Sequence, residues 1–336
     1  MVRRVGSRQH RFPRWLAQVG LYVLTVWAVL TLNFLLPRVM PGDPIAALQD
    51  PASTRYLADP DARARLAAYY GLDRPLIEQY RRYLIGVAAW DLGWSIRLNA
   101  PVAELIGTHL PWTLLLTVPS LLIASAISIL AGTHAGWVRG SAADRGLLVA
   151  FTALHTLPVF FVGVLALLLF GVRLGWFPLA GSTTPFRSGV TAWWRVGDIV
   201  RHWALPAATL TTELLGARFL LMRNSMVATL GEDYMLVARA KGLPERAVKY
   251  RHGLRNAILP FVTALSAQLG FAVAGAIFIE TLFAYPGMGR LMFEAVGARD
   301  YPVLEGVFLV IALSVLSINL LTDLAYGRLD PRARTP

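Results

Sequence analysis

The 336-residue sequence has no cysteine, only two lysines (Lys241 and Lys249) among its 32 basic residues, and only 15% charged residues. Without thiols there are no disulfides and no thiol chemistry, and the commonest structural-zinc signatures are gone. The six histidines, His10, His109, His134, His155, His202 and His252, form no i,i+4 pair and no cluster with carboxylates, which argues against a metal or hydrolytic site. No GxxxxGK[ST] phosphate-binding loop occurs, so the chain cannot supply that ATP chemistry itself. Soluble domains average roughly 25% charged residues. With 56% hydrophobic residues and a mean hydropathy of +0.52, this chain belongs to the membrane class.

Six stretches satisfy the requirement for about 20 apolar residues across ~30 Å of hydrocarbon. They lie at about 15–36, 112–136, 147–170, 203–222, 257–279 and 303–326. The first has no charge, is too long for a signal-peptide core and is followed by no small-residue cleavage site, so it reads as a retained anchor. With the N-terminus inside, the inner segments (1–14, 137–146, 223–256, 327–336) carry 17 basic residues in 68 positions, and the outer segments 14 in about 130. Short cytoplasmic segments retain positive charge, which places both termini and 223–256 in the cytoplasm. The net charge of +12 sits at membrane edges, where attraction to anionic head groups of the lipid bilayer accounts for it, and no nucleic-acid partner is expected.

The outer segment 37–111 is too long for a plain connection and carries helix signals of its own. Asp59 and Pro60 can start one helix that Gly71 closes, and Asp73 can cap a second start at Pro75. Leu76, Ile77, Tyr80, Leu84 and Val87 then recur at helical spacing. This is a small helical cap over the outer mouth or an amphipathic pair lying on the membrane. Ionisable residues inside spans are functional candidates. Arg218 and Asp323 are expected near the inner interface and Glu305 near the outer one, reaching water, which leaves Glu213 as the deep group and possible pathway residue. In the fifth span Gly270, Ala272, Gly275 and Ala276 suit close helix approach, within the chain or with a second one. No internal repeat or inverted pair of halves is visible.

The stretch ARAKGLPERAVKYRHGLRNAILP, 238–260, holds both lysines and lies between the fourth and fifth spans. Gly242 suits a left-handed helix end, Pro244 a first-turn position, and Glu245 the positive end of the next helix dipole. The reading is helix, sharp turn, helix, projecting from the membrane. Leu243, Ala247, Val248 and Tyr250 form a small apolar set beside Arg246, Lys249 and Arg251. Such a helix can lie in a partner's groove, or the loop can simply be pinned to lipid.

This segment resembles the coupling-loop signature of ABC importer permeases, in the branch that carries oligopeptides, dipeptides and nickel. The shared residues are Ala238 to Gly242, Arg255 with Asn256, and Leu259 with Pro260. The likeness continues in PGDP (41–44), GLDRP (71–75), DLGWS (91–95), HWALPAATL (202–210), ARFLLMRNSM (217–226), PGMG (286–289) and NLLTDLAYGRLDPR (319–332). Against the general importer pattern, Leu236 stands where a Glu would be, and fifteen residues separate Gly242 from Ile258, as in the peptide and nickel branch.

The resemblance implies an all-α polytopic membrane protein of about six transmembrane helices with the type I ABC importer permease fold. Its parts would be a cytoplasmic N-terminus (1–14), an anchor (15–36), an extracytoplasmic loop with short helices (37–111), a transmembrane domain (112–326) with coupling loop 223–256, and a cytoplasmic tail (327–336). It implies pairing with a second permease, two cytoplasmic ATP-binding subunits using ATP and magnesium, and an extracytoplasmic solute-binding protein, with no cofactor bound by this chain. The cargo would be di- or oligopeptides, or alternatively nickel or another small solute; an ion-coupled secondary transporter is the rival outside the family. The coupling contacts would fall on Ala238, Ala240, Lys241, Gly242, Leu243, Glu245, Arg246, Val248, Arg255, Asn256 and Pro260.

Overall fold

A computed structural model of the protein describes residues 14–40, 64–65, 67–68, 71–187, 189, 191–274 and 276–329. The features expected at 41–44, Asp59, Pro60 and Gly275, most of both termini, and the side chain of Asp323 lie outside the described residues. The helices in chain order are α1 (Arg14–Val39), α2 (Leu76–Ala88), α3 (Val102–Trp137), α4 (Ala142–Thr156), α5 (Val159–Ala166), α6 (Ala192–Leu230), α7 (Asp233–Ala240), α8 (Glu245–Ala247), α9 (Arg255–Phe271), α10 (Ile277–Leu282), α11 (Met288–Ala298) and α12 (Tyr301–Leu329). Two π-helical stretches, Leu167–Arg173 and Val248–Leu254, extend α5 and join α8 to α9.

Among the described residues, four helical stretches are long and apolar enough to cross a membrane: Gly20–Val39, Val102–Trp137, Glu245–Leu282 and Tyr301–Thr322. A fifth exists if Ala142–Thr156 and Val159–Arg173, bent by 94°, count as one span. The protein is thus an all-α polytopic membrane protein with four or five apolar spans, against the six expected. The remaining candidate, 203–222, is helical within α6 but carries Glu213 and Arg218 and three threonines. Two expected spans are also not continuous. Leu157, preceding Pro158, takes an extended conformation and ends α4, as the steric demand of the proline ring requires. In the fifth, a 3₁₀ turn over Ala272–Ala274 follows α9, and Thr117 Oγ1 donates to the Ala272 carbonyl at 2.9 Å.

The centre of the bundle is the α3–α6 pair. Ser120, Ala124, Ser128, Gly132 and Gly136 recur every four residues along α3, and all are buried. A Cβ on Gly132 would stand 2.8 Å from Met222 Cβ and 3.0 Å from the Phe219 carbonyl; one on Gly136 would stand 2.7 Å from Met226 Cβ. Ser128 Oγ donates to the Leu215 carbonyl at 3.2 Å, and Trp203 Nε1 to the Leu115 carbonyl at 2.9 Å. At the Trp137 end, Arg223 of α6 grips Asp144 with two hydrogen bonds of 2.6 and 2.7 Å. Asp144 also accepts from the Gly140 N–H at 2.9 Å, so the turn between α3 and α4 is fastened to α6.

The opposite end rests on two buried carboxylates. Asp300 accepts from Ser95 Oγ at 2.5 Å and from the N–H groups of Ile96 and Arg97 at 3.1 and 3.0 Å, tying the DLGWS loop to the start of α12. Glu280 accepts from Thr113 Oγ1 at 2.9 Å and the Arg290 N–H at 3.0 Å, while Thr113 accepts from the Met288 N–H at 2.7 Å. The PGMG glycines serve this site: a Cβ on Gly287 or Gly289 would collide with the Glu280 carboxylate.

Around this end, Arg38 of α1 pairs with Glu305 of α12, and its guanidinium lies 3.5 Å over the Phe34 ring. Glu305 therefore does not reach out to water as expected; its partner is 267 positions away in sequence. α2 is amphipathic as expected and packs Tyr80 and Tyr83 on Phe34 at 5.1 and 5.7 Å between ring centres. Its start differs, because Pro75 occupies the capping position with no side-chain cap, so Asp73 does not serve there. Gly71 does take the left-handed conformation, φ +68°. On the exposed face of α2, the hydrogen bond from Arg74 holds the Glu78 carboxyl below its ordinary range.

Two stability predictions follow from the α3–α6 pair. Gly132→Leu, which must push α6 away, is expected to cost about 1–3 kcal/mol or more of stability. Gly107→Leu on an open face of the same helix is expected to be neutral, since nothing lies within 4 Å of its Cβ position. Thermal denaturation in detergent checks the pair. Asp144→Asn leaves the half-buried Arg223 without its carboxylate and is expected to cost roughly 1–3 kcal/mol, whereas Asp144→Leu with Arg223→Met recovers most of that loss.

Candidate functional site

The segment singled out by its lysines folds as expected in outline. α7 ends at Ala240, Gly242 takes φ +73°, and Pro244 opens the next helix with Glu245 in its first turn. The Arg239 guanidinium lies 3.5 Å from Glu245 and 5.6 Å over the Trp137 ring, closing the bend. Ala240, Lys241, Gly242, Glu245, Arg246, Arg255, Asn256 and Pro260 are exposed, and Leu243 is half-buried. Asn256 spends its amide on the His252 carbonyl at 3.1 Å, and Pro260 lies inside α9.

The apolar set is arranged differently from the expectation. Val248 is wholly buried and Ala238 nearly so; with Met235 they form a small core against Trp137, Leu230 and Leu243. Val248 therefore cannot belong to an outward apolar face, because the bend folds α8 back onto α7 and uses that residue as the fastening. The outward apolar surface is Tyr234, Leu236, Val237 and Tyr250, with Leu236 66% and Val237 51% exposed. Its signal was available in DYMLVARA, where residues 234–238 are all apolar and so cover both faces of a short helix. Lys249 is also drawn inward, at 8% exposure, with Nζ 3.4 Å from His134 Nδ1. Beneath, Gly253 admits the Met226 side chain, so the element rests directly on the end of α6.

A second feature lies midway along α6. An open cavity of about 380 Å³ is lined by Thr117 of α3, His155 of α4, Glu213, Leu214 and Arg218 of α6, and Gln268 of α9, among others. Glu213, the residue expected on a pathway, is exposed to it. Arg218, expected at the inner interface, lines the same cavity and is only 7% exposed. Of the expected small residues, Gly270 packs within the chain, its Cβ position 3.1 Å from Val315 Cα on α12. Among the described residues no group of three or more His, Cys, Asp or Glu could hold a metal.

These two features, a surface element resting on α6 and a polar cavity beside it, are the geometry against which relatives can be compared. Residues 124–335 match the family described as the binding-protein-dependent transport system inner membrane component. A putative peptide permease protein of Brucella ovis is 41% identical over 317 residues, 94% of this chain and 96% of that protein. The dipeptide transport system permease protein of Escherichia coli K12 is 36% identical over 335 residues, covering 95% and 98% of the two chains. The glutathione transport system permease protein of Salmonella paratyphi A is 36% identical over 315 residues, 92% and 95% of the two. The family model covers more than half of the chain and the relatives nearly all of it, so this protein belongs to the binding-protein-dependent transport system inner membrane components, the permease subunits of ABC transporters.

Proposed function

We propose that this chain is one of two permeases of an ATP-driven importer that carries di- or oligopeptides across the cytoplasmic membrane. The observation that carries the substrate class is the likeness to peptide permeases along 94–95% of the chain. In this reading the stretch 203–222 of α6 is the sixth span, admitted to the membrane because its polar groups face protein and cavity rather than lipid. The termini and α7–α8 face the cytoplasm, as the density of basic residues favours. Two ATP-binding subunits, which themselves use ATP and magnesium, dock on α7–α8 of this chain and on the corresponding loop of the second permease; a solute-binding protein delivers peptide at the opposite face.

The docking surface is best supported at Leu236, Val237, Tyr234 and Tyr250, which are apolar and exposed, with the exposed Arg239, Lys241, Arg246 and Arg251 on the same segment. Ala238, Val248 and Gly242 shape the element from within. Closure of the ATPase pair would move this element as a body and shift the permease between two packings.

Three measurements test the proposal. Cells carrying the chain with its partner subunits are expected to accumulate labelled alanyl-alanine, and absence of uptake sinks the peptide assignment. Leu236→Asp with Val237→Asp is expected to reduce uptake and ATPase-subunit copurification about tenfold or more with unchanged membrane abundance. Val248→Asp, by contrast, should lower abundance itself, and Gly242→Val should strain the bend by roughly 1–3 kcal/mol. Because the chain has no cysteine, Lys241→Cys and Trp193→Cys each introduce a sole thiol. An impermeant maleimide added to intact cells is expected to label position 193 and to reach position 241 only after permeabilisation.

A further inference from the structure

Arg218 is a buried cation in search of an anion. It donates through NH1 to the Leu214 carbonyl at 2.8 Å and through NH2 to Gln268 Oε1, and its buried Nε has no partner. Both acceptors are neutral, and among the described residues no carboxylate lies within 4.0 Å of the guanidinium. A buried charge satisfied only by dipoles is costly unless an opposite charge arrives. The guanidinium lines the 380 Å³ cavity, a volume within the range of small-ligand sites.

Glu213 lines the same cavity. Five residues separate it from Arg218, about 140° around the helix, so the two side chains make no contact within 4.0 Å, although their charges attract one another across the cavity. They present an anion and a cation to one space, whose wall also holds the polar Thr117, His155 and Gln268 and the apolar Leu210, Leu214 and Phe271. A ligand complementary to this arrangement carries an ammonium and a carboxylate at opposite ends of a small, partly apolar body.

We propose that this cavity is a station for the termini of a short zwitterionic peptide, Arg218 taking its carboxylate and Glu213 its ammonium group. The inference rests on the peptide-import reading and adds a recognition site within the permease itself. It also accounts for the orphan Nε: a carboxylate approaching the guanidinium edge can accept from Nε and one terminal nitrogen together, the bidentate geometry that arginine favours and lysine lacks.

The experiment uses the complete transporter with its binding protein in proteoliposomes, alanyl-alanine as the probe, and the variants Arg218→Gln, Arg218→Lys and Glu213→Gln. Loss of a charge-assisted contact is expected to reduce the maximal uptake rate about tenfold or more in Arg218→Gln, with Arg218→Lys and Glu213→Gln intermediate. The half-saturating peptide concentration, set by the binding protein, should stay put, as should peptide-free ATP hydrolysis and subunit composition. Wild-type uptake by Arg218→Gln overturns the inference while leaving peptide import standing. So does loss of the second permease from that variant, or an equal fall in its peptide-free ATP hydrolysis, either of which makes Arg218 structural. If the wild-type transporter moves no peptide, the import reading falls and takes this inference with it.

Discussion

Everything else in the fold depends on how closely α3 approaches α6. In lipid there is no hydrophobic force between apolar helices, so association must come from tight packing and interhelical hydrogen bonds. The five small residues from Ser120 to Gly136 let the two backbones meet over about 24 Å of helix, and Ser128 and Trp203 add hydrogen bonds across the seam. Phe219 is shared: its carbonyl stands beside Gly132 of α3 and its ring stacks on Phe151 of α4, 4.3 Å between ring centres. Contacts on these faces hold α6 while Glu213 and Arg218 line the cavity beside it, Arg218 hydrogen-bonded to Gln268 of α9.

The same rigidity joins the two ends of the reading. α6 runs unbroken from Ala192 to Leu230, and its last turns carry Met222 and Met226, which pack on Ala257 and Phe261 of α9. Met226 also fills the space left by Gly253, directly under the bend. A push on α7–α8 therefore meets no compressible layer before it reaches α6 and α9, the two helices that carry Arg218 and Gln268. Asp144 and Arg223 fasten the neighbouring turn to the same helix, so α4, with His155 on the cavity wall, is held in that frame too.

Much of this was legible in the residues taken singly. The lengths of the apolar runs located four of the six expected spans, five if the pair bent at Pro158 counts as one, and Gly71 and Gly242 take the left-handed conformations their positions called for. What was not legible depends on partners distant in sequence. Glu305 reads as an interfacial carboxylate until Arg38 is brought beside it. Val248 reads as a surface residue while its short helix is considered alone, and becomes core once Met235 lies against it. PGMG is recognisable as a motif, yet its glycines have no reason until the Glu280 carboxylate occupies the space they leave. The stripe Ser120-Ala124-Ser128-Gly132-Gly136 is different: its four-residue period is written in the local sequence and needs no distant partner to be seen.

The break after α9 finds its explanation in the cavity. Non-helical backbone at membrane depth is tolerated only where it is buried in protein or lines a cavity, because lipid offers no hydrogen bonds to freed carbonyls and amides. Here the 3₁₀ turn places Ala272 and Ala276 on the wall shared with Glu213 and Arg218, and Thr117, another wall residue, satisfies the Ala272 carbonyl. The interruption also lets the chain turn into α10 and carry Glu280 to its seat beneath the PGMG loop. An unbroken helix through 272–276 would close this wall with side chains at regular spacing. The broken one leaves a polar recess between α3, α6 and α9, so the irregular backbone and the buried Arg218, whose Nε alone has no partner, line one cavity.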